Sequence, residues 1–396
     1  MRIALVTRRF WPAVGGIERV VAELGQALRA LGSEVEILAQ RVDEGPNGWL
    51  THTVCEAPEF AAFEYGGLPV RQVRLPLRRR LPLLPLALEG IPLLPRLTRG
   101  QTRRLTAPLY GRVAAGELAP QLEGADVVHV LGGAWLSIAA VEAARRLRLP
   151  VLVTPFVHRG YWRDDPGSVR SYRRADAVIA TLESDAQELR ELGVPSDKIE
   201  VCGLPVPAVG EIDTRPELPP LIVFVGARVP HKGVDVLRCA ARQVWSRRPD
   251  ARFAFVGPGG RLSGLDRREL DVGAVSDDEL GRWLERATLL SLPSSTESFG
   301  LVVAEAWSVG RPVVTSDIPV LQELVDRSGG GLAVPREPGR LAVAILEVLE
   351  NPSRAGAMGR AGLGLWQREY RPEAVAGRHL ALYASVSRRT RRGGNA

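Results

Sequence analysis

Lysine, cysteine and long apolar runs are scarce in this 396-residue chain. Only two lysines occur, Lys198 and Lys232, although Lys and Arg together number 52. The three cysteines lie far apart without C-x-x-C spacing, which argues against a disulfide framework or a zinc site and favours a reducing cytoplasm. No apolar run reaches the roughly 18 residues of a membrane span. Met1-Arg2 leads directly into Ile3–Val6, which is too short for a signal core and is typical of a buried strand.

The overall composition is that of a soluble globular protein, with 45% apolar and 24% charged residues. At this length one hydrophobic core is rarely enough, so two domains are expected. The net charge of +7 raises the possibility of a nucleic-acid-binding protein. However, the chain lacks basic stripes interleaved with aromatics and a recognisable reading helix, so we expect no nucleic-acid partner.

Short apolar runs alternate with helical patterns along most of the chain, as in parallel sheets with helical crossovers. The pattern breaks at 203–220, a proline-rich stretch that we interpret as a linker. We therefore predict an α/β protein of two Rossmann-like, doubly wound domains facing a central cleft. The predicted ranges are 1–204 for the first domain, 205–371 for the second, and 372–396 for a helix that can cross back to the first domain, followed by a basic tail.

The segment FVGARVPHKG places three cations, Arg228, His231 and Lys232, at the entrance to a predicted helix. Cations beside a helix amino end are repelled by its dipole unless an anion lies between them, and a diphosphate would supply that anion. The alternative is an exposed charged loop. In the first half, Gly15-Gly16 stands between a strand and a helix, where paired glycines let amide groups approach an anion. A plain turn before a helix is an equally good explanation.

The segment ESFGLVVAE is the most specific pattern in the chain. Its Ser298-Phe299-Gly300 run opens a predicted helix whose amide groups can bind phosphate. On one straight helix Glu297 and Glu305 would lie about 12 Å apart along the axis. That distance exceeds the roughly 5–9.5 Å of a hydrolytic carboxylate pair, so the two acids fit better as acceptors for different hydroxyls of one elongated ligand.

Together these segments resemble the family-four glycosyltransferases of the GT-B fold, and the resemblance covers nearly the whole chain. The segments that resemble the family are RRADAVIATLESDAQELRELGVPSDKIEV, FVGARVPHKG, FAFVGPGG, the E-x7-E motif from Glu297 to Glu305, and GRPVVTSDIPVLQELV. Two positions depart from the family pattern. Ala227 stands where the family commonly has Arg, and Gly203-Leu204-Pro205 replaces the usual Pro-Asn-Gly.

The resemblance implies a retaining transfer of a hexose-type sugar from a nucleotide-sugar to a hydroxyl acceptor, which can be a glycan, a glycolipid or a small molecule. It also implies that 1–204 is an acceptor-binding domain and that 205–371 is a nucleotide-sugar-binding domain. It implies that Glu297 contacts the sugar, Glu305 the ribose and Lys232 the departing diphosphate. No cofactor or metal is expected beyond the UDP-, GDP- or other NDP-sugar donor. The candidate catalytic residues are His158, Lys232 and Glu297; the candidate donor-binding residues are Gly15, Gly16, Arg228, Lys232, Glu297, Ser298, Phe299, Gly300, Leu301 and Glu305.

Two histidines follow or end predicted strands. His158 follows the strand at 151–153, and the family often has a histidine in this loop near the reacting sugar; the alternative is a loop histidine without a role in the site. Tyr161 and Trp162 can form an aromatic wall for a sugar, and packing within the protein is an equally good explanation for them. His129 ends the run DVVHV and is better interpreted as a core histidine with satisfied hydrogen bonds.

The stretch 71–112 combines ten arginines and one acid with apolar, proline-containing segments. Such a stretch can dock on an anionic membrane, which would favour a lipid-linked acceptor and a cytoplasmic enzyme at the inner face. An irregular acceptor rim is the alternative interpretation.

Two other enzyme reactions suit the same fold. A nucleotide-sugar epimerase stays open, because it would share the donor site and need no acceptor. A phosphorylase-type enzyme would need a pyridoxal lysine, which a chain with two lysines makes improbable.

Overall fold

A computed structural model describes residues 1–11, 15–41, 62–73, 103–133, 135–157, 164–212 and 216–393. It divides into two compact units. Unit 1 comprises Met1–Pro205 and Pro372–Ala396, and unit 2 comprises Val206–Arg371. Within 203–220 the described residues form neither helix nor strand, as expected of a linker.

Unit 1 is built on an eight-stranded sheet in the order β3-β4-β2-β1-β5-β6-β7-β8. Every neighbouring pair is parallel except β3 and β4, which form an antiparallel hairpin at one edge. The strands are β1 Arg2–Arg9, β2 Glu34–Arg41, β3 Ala62–Tyr65, β4 Leu68–Gln72, β5 Val127–Leu131, β6 Val151–Thr154, β7 Ala177–Ala180 and β8 Ile199–Val201.

The helices of unit 1 complete its crossovers, and the last of them comes from the far end of the sequence. They are α1 Gly16–Ala30, α2 Arg103–Leu118, α3 Trp135–Arg146, α4 Pro166–Arg174, α5 Glu183–Glu191 and α12 Pro372–Gly393. The helix α12 packs against α1. Asp165 caps α4 by accepting hydrogen bonds from the amides of Gly167 and Ser168, which satisfies two amides at the start of the helix.

Unit 2 is built on a six-stranded, fully parallel sheet in the order β11-β10-β9-β12-β13-β14. Counted along unit 2 alone, this is the 3-2-1-4-5-6 order of a doubly wound nucleotide-binding fold. The strands are β9 Leu221–Val225, β10 Arg252–Val256, β11 Glu269–Gly273, β12 Leu289–Leu292, β13 Val313–Ser316 and β14 Gly331–Val334.

Helices cover the crossovers of unit 2, and a short 3₁₀ turn at Pro230–Lys232 follows β9. The helices are α6 Val234–Val244, α7 Asp277–Arg286, α8 Leu301–Ser308, α9 Pro319–Ser328, α10 Pro338–Glu350 and α11 Pro352–Leu365, which is continued by a π-helical segment at Trp366–Tyr370. The helix α7 begins with a capping box in which Ser276 and Glu279 satisfy each other's backbone amides.

The predicted α/β class with doubly wound sheets is confirmed. Each strand and helix predicted from an apolar run or a helical period lies at its expected place, whereas the β3–β4 hairpin, β8, β11 and β14 carry weak sequence signals. In the described part of the chain, no helix is both long and apolar enough to cross a bilayer.

Candidate active site

The two segments with the strongest sequence signals lie beside each other in unit 2. One follows β9 and the other follows β12, and these strands are neighbours in the sheet. Crossovers from β9 and β12 run toward opposite edges, so the strand order reverses between them. In open α/β sheets, ligands bind outside the carboxyl ends of the strands at such a switch point. The topology therefore places both segments at the favoured ligand position of this unit.

Lys232 and Glu297 are in direct contact. The Lys232 Nζ lies 2.7 Å from Glu297 Oε1, and the hydroxyl of Ser294 donates to the same oxygen, also at 2.7 Å. The Glu297 side chain is 9% exposed and that of Lys232 is 23% exposed. An ammonium group has three donors. The pair is thus a fixed carboxylate and a cation that is still reachable from solvent.

Close backbone packing holds this pair in place. The amide of Ser295 donates to the carbonyl of His231 at 2.7 Å, which ties the β12 segment to the β9 turn. Gly233 follows Lys232 with a φ of 78°, and a Cβ atom there would collide with the carbonyl oxygen of Pro293. Only glycine fits both the left-handed backbone and the close approach, so this position fixes where Lys232 stands.

The helix α8 begins directly after the Glu297 segment. Gly300 is its N-cap residue, with a φ of 86° and no side-chain cap. The first amides of a helix carry positive partial charge and suit an anion. Phe299 is buried and packs edge-to-face on Tyr370 at 5.2 Å between ring centroids. Its side chain therefore anchors the helix start, and a ligand can meet only the backbone there.

Glu305 lies inside α8, whereas Glu297 lies before it. The two acids are therefore not on one straight helix, and the 12 Å estimate does not apply to them. Glu305 is buried with 3% exposure, and its own carbonyl accepts a hydrogen bond from the Ser308 hydroxyl at 2.7 Å. A carboxylate so buried requires partners, and Glu305 has such an interaction inside the protein, so its contact with the ribose stays a prediction.

Arg228 makes its contacts inside unit 2. Its guanidinium donates to the carbonyls of Gly260 at 3.0 Å and Phe255 at 3.3 Å, and it forms an ion pair with Asp271. The side chain is only 6% exposed. A Cβ atom on Gly259 would lie 2.6 Å from the Cβ of Arg228. These contacts favour a role in holding the loop after β10 over the predicted direct contact with the donor.

In unit 1, the amino end of α1 carries one of the chain's own carboxylates. Gly15 is the N-cap residue, in an extended conformation, and α1 begins at Gly16. The carboxylate of Glu18 lies where a Cβ on Gly15 would point, and it pairs with Arg9 at 3.9 Å. An acid in the first turn complements the helix dipole. The predicted anion position at Gly15 and Gly16 therefore already has a negative group beside it.

His129 is a fully buried core histidine, as predicted. Its Nδ1 shares a hydrogen bond with the Tyr383 hydroxyl at 2.7 Å, and its Nε2 shares one with the Thr154 hydroxyl at 2.8 Å. Burial, together with the charge of the neighbouring His379, holds the pKa of His129 well below 6.5. Burial likewise raises the pKa of Tyr383 well above 10. Both groups therefore stay neutral near pH 7.

A second buried pair adjoins His129. His379 Nδ1 lies 3.3 Å from the Cys202 sulfur, and the rings of His379 and His129 are 5.5 Å apart. Burial alone would raise the pKa of Cys202, but the charges and hydrogen bonds of His379 and Arg378 together outweigh it and lower that pKa. No sequence signal identified this pair, because Cys202 and His379 are 177 positions apart.

Several predicted features lie outside the described residues. These are His158, Tyr161 and Trp162, together with 74–102, which is most of the basic stretch. Among the residues that the structure does describe, no three His, Cys, Asp or Glu side chains are grouped so that they could hold a metal ion.

Comparison with known proteins gives matches in both units. A family model described as "Glycosyl transferases group 1" matches residues 219–351, and one described as "Glycosyl transferase 4-like domain" matches residues 15–205. Among curated proteins, the D-inositol 3-phosphate glycosyltransferase of Nocardioides sp. is 28% identical, with 90% of this chain and 83% of that protein covered.

Two solved structures are similar over almost their entire length. Sucrose-phosphate synthase from Thermosynechococcus elongatus has a TM-score of 0.68 at 20% identity, covering 97% of this chain and 98% of the other. Anabaena HepE in complex with UDP-glucose has a TM-score of 0.68 at 15% identity, covering 97% of this chain and 100% of the other. At these identities the likeness shows the fold alone.

Proposed function

The chain belongs to the group 1 glycosyltransferases, retaining enzymes of the GT-B fold that take a hexose from an NDP-sugar, and we propose that unit 2 binds the donor through Lys232, Glu297 and Glu305. The observation that carries this proposal is the contact between Lys232 and Glu297 beside the start of α8. It joins a cation, a carboxylate and uncapped helix amides at the switch point of a doubly wound sheet.

In the reaction, the bond between the sugar's anomeric carbon and the diphosphate breaks, the acceptor oxygen bonds to that carbon on the same face, and the proton of the acceptor hydroxyl passes to the departing diphosphate. Negative charge develops on the departing diphosphate. The Lys232 ammonium and the first amides of α8 stabilise this charge, and fixed donors of this kind are among the largest contributions to catalysis. Glu297 keeps Lys232 in place and accepts hydrogen bonds from the sugar, while Glu305 accepts them from the ribose.

For the donor, we propose a UDP-hexose. HepE of the same fold is described in complex with UDP-glucose. A panel of UDP-, GDP- and other NDP-sugars in a thermal-shift assay tests this choice, because a ligand that binds only the native state raises the unfolding temperature. A rise with a GDP-sugar but not with UDP-glucose would overturn it.

For the acceptor, we propose a phosphorylated polyol of the inositol phosphate class. The curated relative is named for D-inositol 3-phosphate. In this chain, Arg9 ends β1 at the carboxyl edge of the unit 1 sheet; its contact with Glu18 is long, at 3.9 Å, and its Nε–H has no hydrogen-bond acceptor. The Nε atom is itself buried, but the Arg9 side chain as a whole is 36% exposed, so we propose that the exposed part of the guanidinium meets the acceptor phosphate. Transfer to a lipid-linked acceptor instead, with vesicle binding through 71–112, would contradict this proposal.

The ribose assignment is tested with Glu305→Ala and calorimetry. Losing hydrogen bonds to a charged acceptor costs about 1.5–3 kcal/mol, so we expect UDP-glucose to bind about 10- to 100-fold more weakly. Glu347→Ala is a suitable control, because Glu347 forms an ion pair with Arg354 away from these segments. Equal donor affinity for both variants would remove Glu305 from the site. Turnover of the nucleotide-sugar to its epimer without any acceptor would identify an epimerase instead.

A further inference from the structure

Arg336 extends over the carboxyl edge of the unit 2 sheet to the two segments of the proposed donor site. It follows β14, two strands away from β12 and three from β9. Its Nε donates to the carbonyl of Pro293 at 2.8 Å, and its Nη2 donates to the carbonyl of Pro230 at 3.1 Å. One guanidinium therefore bonds to both segments.

The carbonyls of Pro230 and Pro293 lie at the start of the segments that carry Lys232 and Glu297. Pro230 begins the turn that ends at Lys232. Pro293 directly follows β12 and precedes Ser294, whose hydroxyl holds Glu297. A shift in either carbonyl would therefore move the cation or the carboxylate within a few residues.

The pairing of strands in the sheet does not by itself fix the distance between the segment that carries Lys232 and the segment that carries Glu297. Pairing between β9 and β12 consists of Ile222 with Leu289 and Val223 with Leu290, so it ends well before Lys232. No residue pair beyond Val223 and Leu290 in the described segments belongs to this pairing. The backbone bond from Ser295 to His231 and the guanidinium of Arg336 then connect the two segments.

We propose that Arg336 is a positioning residue for sugar transfer, which bonds the Pro230 and Pro293 carbonyls and thereby sets Lys232 against Glu297. The proposal rests on the proposed function of unit 2. Bonds from a charged donor are stronger than neutral ones, and the planar fork of Arg can serve two carbonyls at once. Small misplacements of reacting groups cost up to about 100-fold in rate.

The first experiment compares Arg336→Ala, Arg336→Lys and the control Arg340→Ala, using UDP release from UDP-glucose with inositol phosphate as acceptor. Arg340 is an exposed residue on α10, four positions along the chain. We expect Arg336→Ala to lower kcat about 10- to 100-fold while the donor KM changes by less than about threefold. The KM should change little because the proposed contacts of the donor with Glu305 and with the first amides of α8 do not involve Arg336. Arg336→Lys, which can reach one carbonyl, should recover part of the rate. Arg340→Ala should match the wild type.

A double-mutant cycle shows whether Arg336 acts through Lys232. In a Lys232→Ala background, Arg336→Ala should lower the residual rate by less than about threefold, since the cation to be positioned is gone. An equal fold loss in both backgrounds, or a wild-type rate for Arg336→Ala, would overturn the proposal. If Arg336→Ala fails to fold, the same cycle is run with Arg336→Lys. If the proposed donor site is wrong, Lys232→Ala alone keeps full activity, and this result distinguishes that case from a failure of the Arg336 proposal.

Discussion

Two groups of polar side chains, one in each unit, show how differently the same chemistry can be used. The core cluster, in unit 1, comprises His129, Thr154, Cys202, His379 and Tyr383, and each of these is almost fully buried. The edge cluster, in unit 2, comprises Lys232, Ser294 and Glu297, at the carboxyl ends of β9 and β12.

The two clusters differ in what their polar atoms can still do. In the core cluster both ring nitrogens of His129 have partners inside the unit, so His129 contributes to stability and has no ring nitrogen left for a ligand. In the edge cluster Lys232 is 23% exposed and uses one donor on Glu297. We infer that burial with complete pairing distinguishes a structural cluster from a candidate site better than residue type does. Substitutions in the core cluster should change stability, and those in the edge cluster should change activity.

The largest expected effect is a loss of turnover in Lys232→Ala, which the same substitution at the other lysine, Lys198, should not cause. Lys232→Ala should lower kcat about 100- to 1,000-fold with little change in unfolding temperature, because it removes one fixed charge from the departing diphosphate. The measurement is the steady-state rate with saturating UDP-glucose.

Lys198→Ala is the matched control in the other unit. Lys198 donates to the carbonyls of Arg173 and Ala175, at 2.9 and 2.8 Å, and so caps the carboxyl end of α4. Its loss should cost about 0.3–1 kcal/mol of unfolding free energy and leave kcat unchanged. Normal turnover of Lys232→Ala would contradict the inference that substitutions in the edge cluster change activity.

A smaller effect is expected for Tyr383→Phe in the core cluster. The substitution leaves His129 Nδ1 buried without its partner, so unfolding free energy should fall by about 1–3 kcal/mol. Urea denaturation measures this loss, and the kcat of the folded variant should stay near that of the wild type. A large loss of kcat at unchanged stability would instead place the core cluster in the reaction.

The smallest expected effect is a decrease in the free energy of unfolding at acidic pH. His129 has its pKa held below 6.5 in the folded state, so on acidification the unfolded state binds the proton first. The stability contributed by neutral His129 is complete well above pH 6.5 and is progressively lost as the pH falls below that value. His379, whose pKa is raised, acts in the opposite direction: its contribution is complete below pH 6.5 and is lost as the pH rises, so the His129→Gln variant is needed to isolate the His129 contribution. Urea denaturation at pH 7.5 and 5.5 should show a smaller acid loss for His129→Gln; an identical loss would contradict the assignment.

The sequence predicted the parts of this fold that depend on local pattern. Buried runs such as Leu221–Val225 and Leu289–Leu292 are strands because nearly every side chain in them is apolar. The strand β11 has the sequence ELDVG and is partly exposed, so it has no such signal. Its position depends on pairing with β10, which a single sequence does not reveal.

The edge cluster was predictable in its members but not in its geometry. Lys232 and Glu297 stood out by charge and spacing, yet their direct contact depends on two strands that come together in the sheet. The charge of Arg228 suggested a phosphate-binding residue, and the sequence did not reveal its contacts with Asp271 and two carbonyls; its contact with the donor stays a prediction. Arg336 had no local signal, because its partners are 43 and 106 positions away.

The placement of α12 in unit 1 has a consequence for how the protein is made. His129 emerges from the ribosome 254 residues before its partner Tyr383, an interval of about 13 to 50 s at ordinary rates of translation. Unit 2 is continuous in sequence and is completed within that interval, whereas unit 1 still lacks α12. The part of β5 that α12 later covers is exposed in the nascent chain, and it offers an apolar strand to chaperones until Tyr383 arrives.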